Sequence, residues 1–438
     1  MEKIRRFIKK ILPRKLFNLL QPYYHFTLAW LGAQRYRHPS REIKVIAVTG
    51  TKGKSSVTEI VTHLLRSAGY KTASLSTIQF SIGDHTERNL FKMTMPGRFF
   101  VQNFLRRAVD AGCEYAVIEM TSEGAKQFRH RFIDLDALIF TNLTPEHIES
   151  HGSFAKYKEA KLSLVAALAK SPKRPRYLVV NIDDEHGPDF LDFEVENKLP
   201  YSLKDLDLYT VHKDGISLVF GDVTIRVPLI GLFNVYNTLA AISLVRALGV
   251  PLIDIQKYLH DLPTLKGRVE QIKAPAGAKN ITAVIDYAHT PDSLTKLYEA
   301  FPQQRKICVL GNTGGGRDTW KRPEMGAIAE KYCAHIILTN EDPYDEDPQK
   351  IVDDMRKGMS DEAPVEVIMD RKEAIERAVE VAKAGDVVLI SGKGTDPYIM
   401  GPNGSKTPWS DAAVTREILD KLSRAKTEEI KGTSSTVL

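Results

Sequence analysis

Residues 50–56, GTKGKSS, gather two glycines, two lysines and two serines into seven positions. That is the composition of a loop that holds phosphate. Backbone N–H groups at a helix N-terminus attract the anion, Lys54 can neutralise β/γ oxygens, and the Ser55 hydroxyl can hold Mg²⁺. Gly50, Thr51, Lys52, Gly53, Lys54, Ser55 and Ser56 are therefore candidate ATP-binding residues. The usual GxxxxGK[ST] spacing would put the first glycine at Val48, whereas this chain places it at Gly50.

Such a loop works only between the right elements. KVIAVTG (44–50) is an apolar, β-branched run ending in glycine, as a buried parallel strand does. After the loop, Val57, Ile60, Val61, Leu64 and Leu65 recur at helical spacing until Gly69. Further strands are expected near 115–119, 137–141 and 177–181, and antiparallel ones in 200–228. In the second half they fall near 282–286, 306–310, 335–339 and 386–391, between helical segments. The fold class is thus α/β: a P-loop ATPase domain with a mostly parallel sheet over 43–265 and a Rossmann-like C-terminal domain over 266–425. A segment at 1–42 precedes them, and a polar, flexible tail is expected at 426–438.

At 438 residues, 43% hydrophobic and 26% charged, the chain has the proportions of a soluble globular protein. Wholesale disorder, a fibrous repeat and a polytopic membrane protein are excluded. Cys113, Cys308 and Cys333 are odd in number and widely spaced, so neither a disulfide framework nor a zinc site is expected, and a reducing cytoplasm is the default setting. The net charge of +6 is unevenly spread: residues 1–42 hold ten basic and two acidic side chains, +8, leaving −2 for the rest. A near-neutral body argues against a nucleic-acid partner.

In the head, Ile4, Phe7, Ile8, Ile11 and Leu12 fall at helical spacing among Lys and Arg, the pattern of a basic amphipathic helix. Leu16–Gln34 has no charged residue and many aromatics, but Asn18, Gln21, Pro22, His25 and Thr27 interrupt it as a membrane span. Three readings stand for residues 1–34: helices packed on the body, peripheral contact with the inner face of the membrane, and a span or signal segment. The last is disfavoured because the phosphate loop needs cytoplasmic ATP.

VTGTKGKSS resembles the loop of the Mur ligases, ATP-dependent enzymes that add amino acids to the peptide of bacterial cell-wall precursors. Nine further blocks follow in that family's order: TNLTPEHIESHGSFAKYKEAK, VVNIDDEHG, GLFNVYNTLAAI, GRVE, DYAHTPDSL, GNTGGGRDTWKRPEMG, EDPYDEDP, DRKEAI and GKGTDPY. The nearest branch resembles MurE, which extends UDP-N-acetylmuramoyl-dipeptide by one residue. The resemblance implies ATP and Mg²⁺, an acyl-phosphate intermediate, small-molecule substrates and a cytoplasmic monomer.

It also implies roles by position. Glu119, ending YAVIEM, matches the Mg²⁺-binding glutamate, and His147 the histidine that ligates a second Mg²⁺. Lys161, which beside Lys156, Lys158 and Glu159 would otherwise read as a solvated face, matches a lysine carbamylated in many relatives. A carbamate would supply two oxygens to that metal and needs a neutral amine to form. Asn234 and Asn237, one helical turn apart, and Arg268, Asp286, Tyr287 and His289 match residues that meet the nucleotide. Lys54, Lys161, His147 and Arg268 are the expected catalytic set. Thr94, Thr121, Ser122, Gln127 and Arg129 match the acceptor-binding positions, and Arg317 an arginine that grips the incoming amino acid's carboxylate.

Two departures bear on substrates. Diaminopimelate-adding relatives carry DNPR where this chain has EDPY, so Tyr344 replaces an arginine. GKGHE becomes GKGTDP. The amino-acid pocket, expected from Glu341, Asp342, Tyr344, Gly392 and Asp396, loses a cation and reads as acidic, which suits a basic side chain such as lysine. Forty-two residues are also too few for the usual UDP-binding domain, which makes a lipid-linked acceptor a competing expectation. A folylpolyglutamate or cyanophycin type of amide ligase, and a non-catalytic scaffold of the same fold, compete with the muramoyl-peptide reading as well.

Overall fold

The structure, a computed structural model, describes residues 14–146, 148–275, 279–316 and 318–434. Its described residues divide into two compact units, one running to Leu206 and including Tyr236–Tyr258, the other formed by Asp207–Val235 and the chain from Leu259 onward.

The first unit is built on eight strands: β1 (Lys44–Thr49), β2 (Thr72–Leu75), β3 (Gln79–Ile82), β4 (His85–Arg88), β5 (Tyr115–Glu119), β6 (Ala137–Phe140), β7 (Tyr177–Asn181) and β8 (Asn197–Tyr201). Their order is β4-β3-β2-β5-β1-β6-β7-β8, parallel from β2 to β8, with β3 and β4 added antiparallel. Val45, Ala47, Val117, Ile118, Leu138 and Ile139 have no exposed surface, which is why these strands read as unbroken apolar runs. Because β1 lies between β5 and β6, its carboxyl end is a topological switch point. A crevice opens there, outside the strand ends.

The second unit carries an antiparallel three-stranded sheet, β9 (Leu208–His212), β10 (Gly215–Phe220) and β11 (Val223–Val227). It also carries a six-stranded sheet of β12 (Glu270–Lys273), β13 (Thr282–Ile285), β14 (Lys306–Leu310), β15 (His335–Leu338), β16 (Val365–Val367) and β17 (Val387–Ile390), ordered β12-β13-β17-β14-β15-β16. All its pairings are parallel except that of β12. The α/β class expected from sequence is the observed one. The stretch 207–235 groups with the second unit, although the sequence places it before a boundary at 265.

One expectation is corrected. Cys308 in β14 and Cys333, just after the helix Lys321–Tyr332, form a disulfide with their Cα atoms 6.1 Å apart. A β-α-β crossover returns the chain beside its own start, so separation in sequence was no guide to separation in space. The helix Asp411–Ser434 runs through most of the segment expected to be a flexible tail, where Ala425, Lys426, Glu428, Glu429 and Lys431 are good helix formers. In the head, the apolar positions Ile4 to Leu12 lie outside the described residues. Arg14–Arg35 is one helix, with Pro22 inside it, packed on the helix Arg98–Asp110. No helix among the described residues is long and apolar enough to cross a membrane.

Candidate active site

The loop after β1 is held open by its glycines and braced from the loop after β6. Gly50 (φ +148°) could not take a Cβ, which would stand 1.9 Å from Thr141 Oγ1. At Gly53 (φ +82°) a Cβ would stand 2.3 Å from Asn237 Oδ1. The amides of Thr51 and Lys52 donate to the backbone oxygen and Oδ1 of Asn142, each at 2.8 Å, and Thr141 Oγ1 donates to the Lys52 carbonyl at 2.6 Å. Thr51 Oγ1 also meets Tyr157 OH at 2.9 Å. Gly53 is the N-cap of the helix Lys54–Ser67 and, lacking a side chain, supplies no cap of its own at the positive dipole end. The cradle fits a phosphate chain.

Three amino groups converge on this loop. Lys54 Nζ donates to the Gly50 and Thr51 carbonyls at 3.0 and 2.8 Å, and Lys161 Nζ to the Gly50 carbonyl at 2.6 Å. Lys52 Nζ lies 3.0 Å from Glu146 Oε1. Lys161, in the helix Phe154–Ala169, is buried, not solvated. Burial and then the neighbouring Lys54 charge hold its proton affinity far below the ordinary lysine range. Ser55 and Ser56 are both buried in the first helical turn.

Glu119 ends β5 in register with Val48 of β1, which puts its fully buried carboxylate beside the loop. Thr77 grips both carboxylate oxygens: its N–H donates to Oε1 at 2.9 Å and its hydroxyl to Oε2 at 3.0 Å. The same hydroxyl meets Thr94 Oγ1 at 2.8 Å. Sequence reasoning missed Thr77. It follows β2, whose four residues carry no pattern that marks a strand, so no signal in the sequence pointed to it. One buried carboxylate and one hydroxyl suit a hard cation that keeps water and substrate phosphates as further ligands. Among the described residues no three His, Cys, Asp or Glu side chains form a ready-made cage. His147, expected at a second metal, lies outside the described residues.

The acceptor candidates form a connected group in the same unit. Thr121 caps the helix Ser122–Lys126 by accepting from Gly124 N at 3.0 Å, and Ser122 is buried. Gln127 Oε1 accepts from Arg129 Nη2 at 2.9 Å, while Arg129 Nη1 donates to the carbonyl of Met95, the neighbour of Thr94.

In the second unit, Asp286 follows β13 and accepts from the amides of Val269 and Ala288 at 2.8 and 2.7 Å. Burial raises its pKa against the opposing pull of Arg268. The Arg268 guanidinium lies 4.6 Å over the Tyr287 ring, and His289 Nδ1 meets the Tyr287 carbonyl at 2.7 Å. Asn234 and Arg268 help line a small cleft partly open to solvent. Asn234 and Asn237 were expected to face one ligand. In the structure Asn234 Nδ2 donates to the Ile230 carbonyl at 2.8 Å, and Asn237 stands at Gly53 of the phosphate loop.

The amino-acid candidates gather at the carboxyl ends of β14, β15 and β17. Glu341 and Asp342 are buried. Thr313 Oγ1 donates to Glu341 Oε1 at 2.9 Å, and Oε2, against which Gly392 closes, has no hydrogen-bond partner among the described residues. Tyr344 takes up a left-handed backbone (φ +53°). Arg317 lies outside the described residues. The pocket also holds a cation that the sequence reading did not count: the buried Lys393 ammonium meets Asp342 Oδ1 at 2.8 Å and Asp396 Oδ2 at 3.6 Å, one lysine beside the acidic Glu341, Asp342 and Asp396. Lys393 was not among the candidates, because its pairing with Asp342, 51 residues earlier in the chain, is set by the fold.

Residues 48–245 match the profile of the Mur ligase middle domain, and residues 267–394 that of the Mur ligase glutamate ligase domain. A UDP-N-acetylmuramoyl-L-alanyl-D-glutamate–2,6-diaminopimelate ligase of Bacillus cereus is 36% identical over 386 residues, spanning 85% of this chain and 77% of that protein. The ligase of the same name from Cytophaga hutchinsonii is 32% identical over 407 residues, 91% of this chain and 82% of the relative. A solved structure bearing that ligase name superposes with a TM-score of 0.59 at 29% identity, over 86% of this chain and 78% of the other. Mycobacterium tuberculosis folylpolyglutamate synthase, complexed with ADP, shares the fold at a TM-score of 0.66 and 16% identity, over 84% of this chain and 91% of that one.

Proposed function

The chain belongs to the Mur ligase family and is an ATP-dependent ligase; from that premise we propose that it joins a 2,6-diamino acid to the carboxylate of a muramoyl-peptide. The observation that carries this reading is the loop Gly50–Ser55, with Lys54 and Lys161 both on the Gly50 carbonyl and Glu119 at the adjacent strand end.

A carboxylate does not condense with an amine in water, because its carbon is a poor electrophile and hydroxide a poor leaving group. The acceptor carboxylate oxygen attacks the γ-phosphorus of ATP, the bond to ADP breaks, and an acyl phosphate forms. The amine's lone pair then attacks the acyl carbon, phosphate leaves, and the nitrogen loses a proton to give the amide. Lys54 and the N–H groups of the helix Lys54–Ser67 would hold the phosphates, and burial of the loop would strengthen each of these interactions. Ser55, Glu119 and a carbamylated Lys161 would hold Mg²⁺, which supplies charge neutralisation at the transferred phosphoryl group. Thr94, Gln127 and Arg129 would orient the acceptor, and Arg268, Asp286 and Asn234 the nucleotide.

The relatives' names specify 2,6-diaminopimelate. Tyr344 stands where such enzymes carry the arginine for the second carboxylate, so selection against lysine is expected to be relaxed. ADP release with UDP-muramoyl-dipeptide, a lipid-linked muramoyl-peptide or folate, each against a panel of amino acids, tests the reading. Release is expected only with a muramoyl acceptor plus a diamino acid, one ADP per amide formed. No acceptor-dependent turnover, or turnover with folate, would overturn it.

A further inference from the structure

The helix Arg14–Arg35 has two faces of different character. Its inner face, His25, Ala29 and Ala33, is buried, and His25 Nδ1 meets the guanidinium of Arg98 on the partner helix. Its outer face is apolar and, among the described residues, mostly exposed: Leu20, Tyr23, Tyr24, Phe26, Trp30 and Leu31 are 42–71% exposed, with Phe26 resting edge-on against Phe132. At 100° per residue these six occupy one continuous arc, in which Thr27 and Gln34 are the polar interruptions. A helix facing water would carry charged residues there. This one carries none between Leu16 and Gln34, and isolated surface hydrophobics do not account for six side chains on one face.

Charge says what covers the face. From Lys3 to Arg41 the chain has ten basic residues and no acidic one. They bracket the apolar stretch: Arg14 and Lys15 at its start, Arg35 and Arg37, both exposed, at its end. A second copy seated on this face would set one strongly basic head against another. An anionic lipid surface offers the complementary charge, and Tyr and Trp are the residues suited to the layer between head groups and acyl chains. With its inner face buried and tied to Arg98, the helix is fixed in a surface-lying orientation.

We propose that the outer face of the helix Arg14–Arg35 docks on an anionic phospholipid bilayer, laying Tyr23, Trp30 and Leu31 into the interface while the flanking basic residues meet lipid phosphates. This holds whatever acceptor the ligase uses. It is tested on the full chain by flotation with vesicles of phosphatidylcholine alone and of phosphatidylcholine with about a quarter phosphatidylglycerol, at about 0.1 M and about 1 M salt. Binding to the anionic vesicles is expected to be at least tenfold tighter and to fall with salt, with a blue shift of Trp30 emission. Y23S/W30S/L31S should weaken it at least tenfold and R35E/R37E should do so chiefly at low salt, both keeping the wild-type melting temperature. I253S, an exposed apolar change elsewhere, should leave it unaltered. Equal binding to both vesicle types, binding unchanged in a folded triple variant, or a dimer that this variant dissolves would each overturn the proposal.

Discussion

The Nζ of Lys161 donates to the carbonyl oxygen of Gly50 at 2.6 Å, from a helix 111 residues further along the chain. Lys54 uses the same oxygen. One loop carbonyl thus holds two amino groups, and the buried one is driven toward its neutral form, the form able to take up CO₂.

Replacing Lys161 by Ala is expected to lower kcat by at least about 100-fold, the scale of losing a preorganised charged group at a transferring phosphoryl. Wild-type activity should fall in CO₂-depleted buffer and return with bicarbonate, while Lys161→Ala responds to neither. An enzyme indifferent to CO₂ would exclude the carbamate.

Gly53→Ala forces a side chain into a left-handed backbone and onto Asn237 Oδ1. Thermal melts should show a loss of about 1–3 kcal/mol. Titration with a non-hydrolysable ATP analogue should show a larger proportional loss of affinity.

Thr77 couples an acceptor candidate to a metal candidate. Thr77→Val keeps the backbone bond to Glu119 Oε1 and loses the hydroxyl contacts to Oε2 and Thr94. A drop of about tenfold in kcat/KM, about 1.4 kcal/mol, is expected with KM for the acceptor raised, and Thr77→Ser should restore both.

Glu59, half-buried in the helix Lys54–Ser67, has its pKa pushed up to about 7, chiefly by burial and further by Glu119, against hydrogen bonds from Ser76 and Gln79. A raised carboxyl pKa means that the folded state keeps a proton the unfolded chain has released. The contribution is complete below about 4.5 and lost as pH rises through about 7. Melting temperatures across that window should fall by the equivalent of about 2–3 kcal/mol in the wild type and stay flat in Glu59→Gln.

Lys393→Met leaves Asp342 and Asp396 without their buried cation. Denaturant titration should show a loss of about 3–5 kcal/mol. The double change Lys393→Met with Asp342→Asn should recover much of it.

Local signals made the strands and the phosphate loop legible. An apolar β-branched run, a glycine loop and helical periodicity are short-range properties, so β1, β5, β6 and β7 stand within one residue of where the pattern puts them. The strands β2, β3 and β4 escaped, since four-residue segments such as TASL and HTER carry no clear period and are defined by their pairing partners.

By itself the sequence determined the kind of chemistry: which residue types stand at a strand end, ahead of a helix, and in what order along the chain. Tertiary structure decided their states. That Lys161 is buried and not solvated, that Lys393 pairs with Asp342 of the acidic pocket, that Thr77 holds Glu119, and that Cys308 meets Cys333 all depend on contacts between residues far apart in the chain. Burial and charge pairing are properties of surroundings, and only the fold brings those surroundings together.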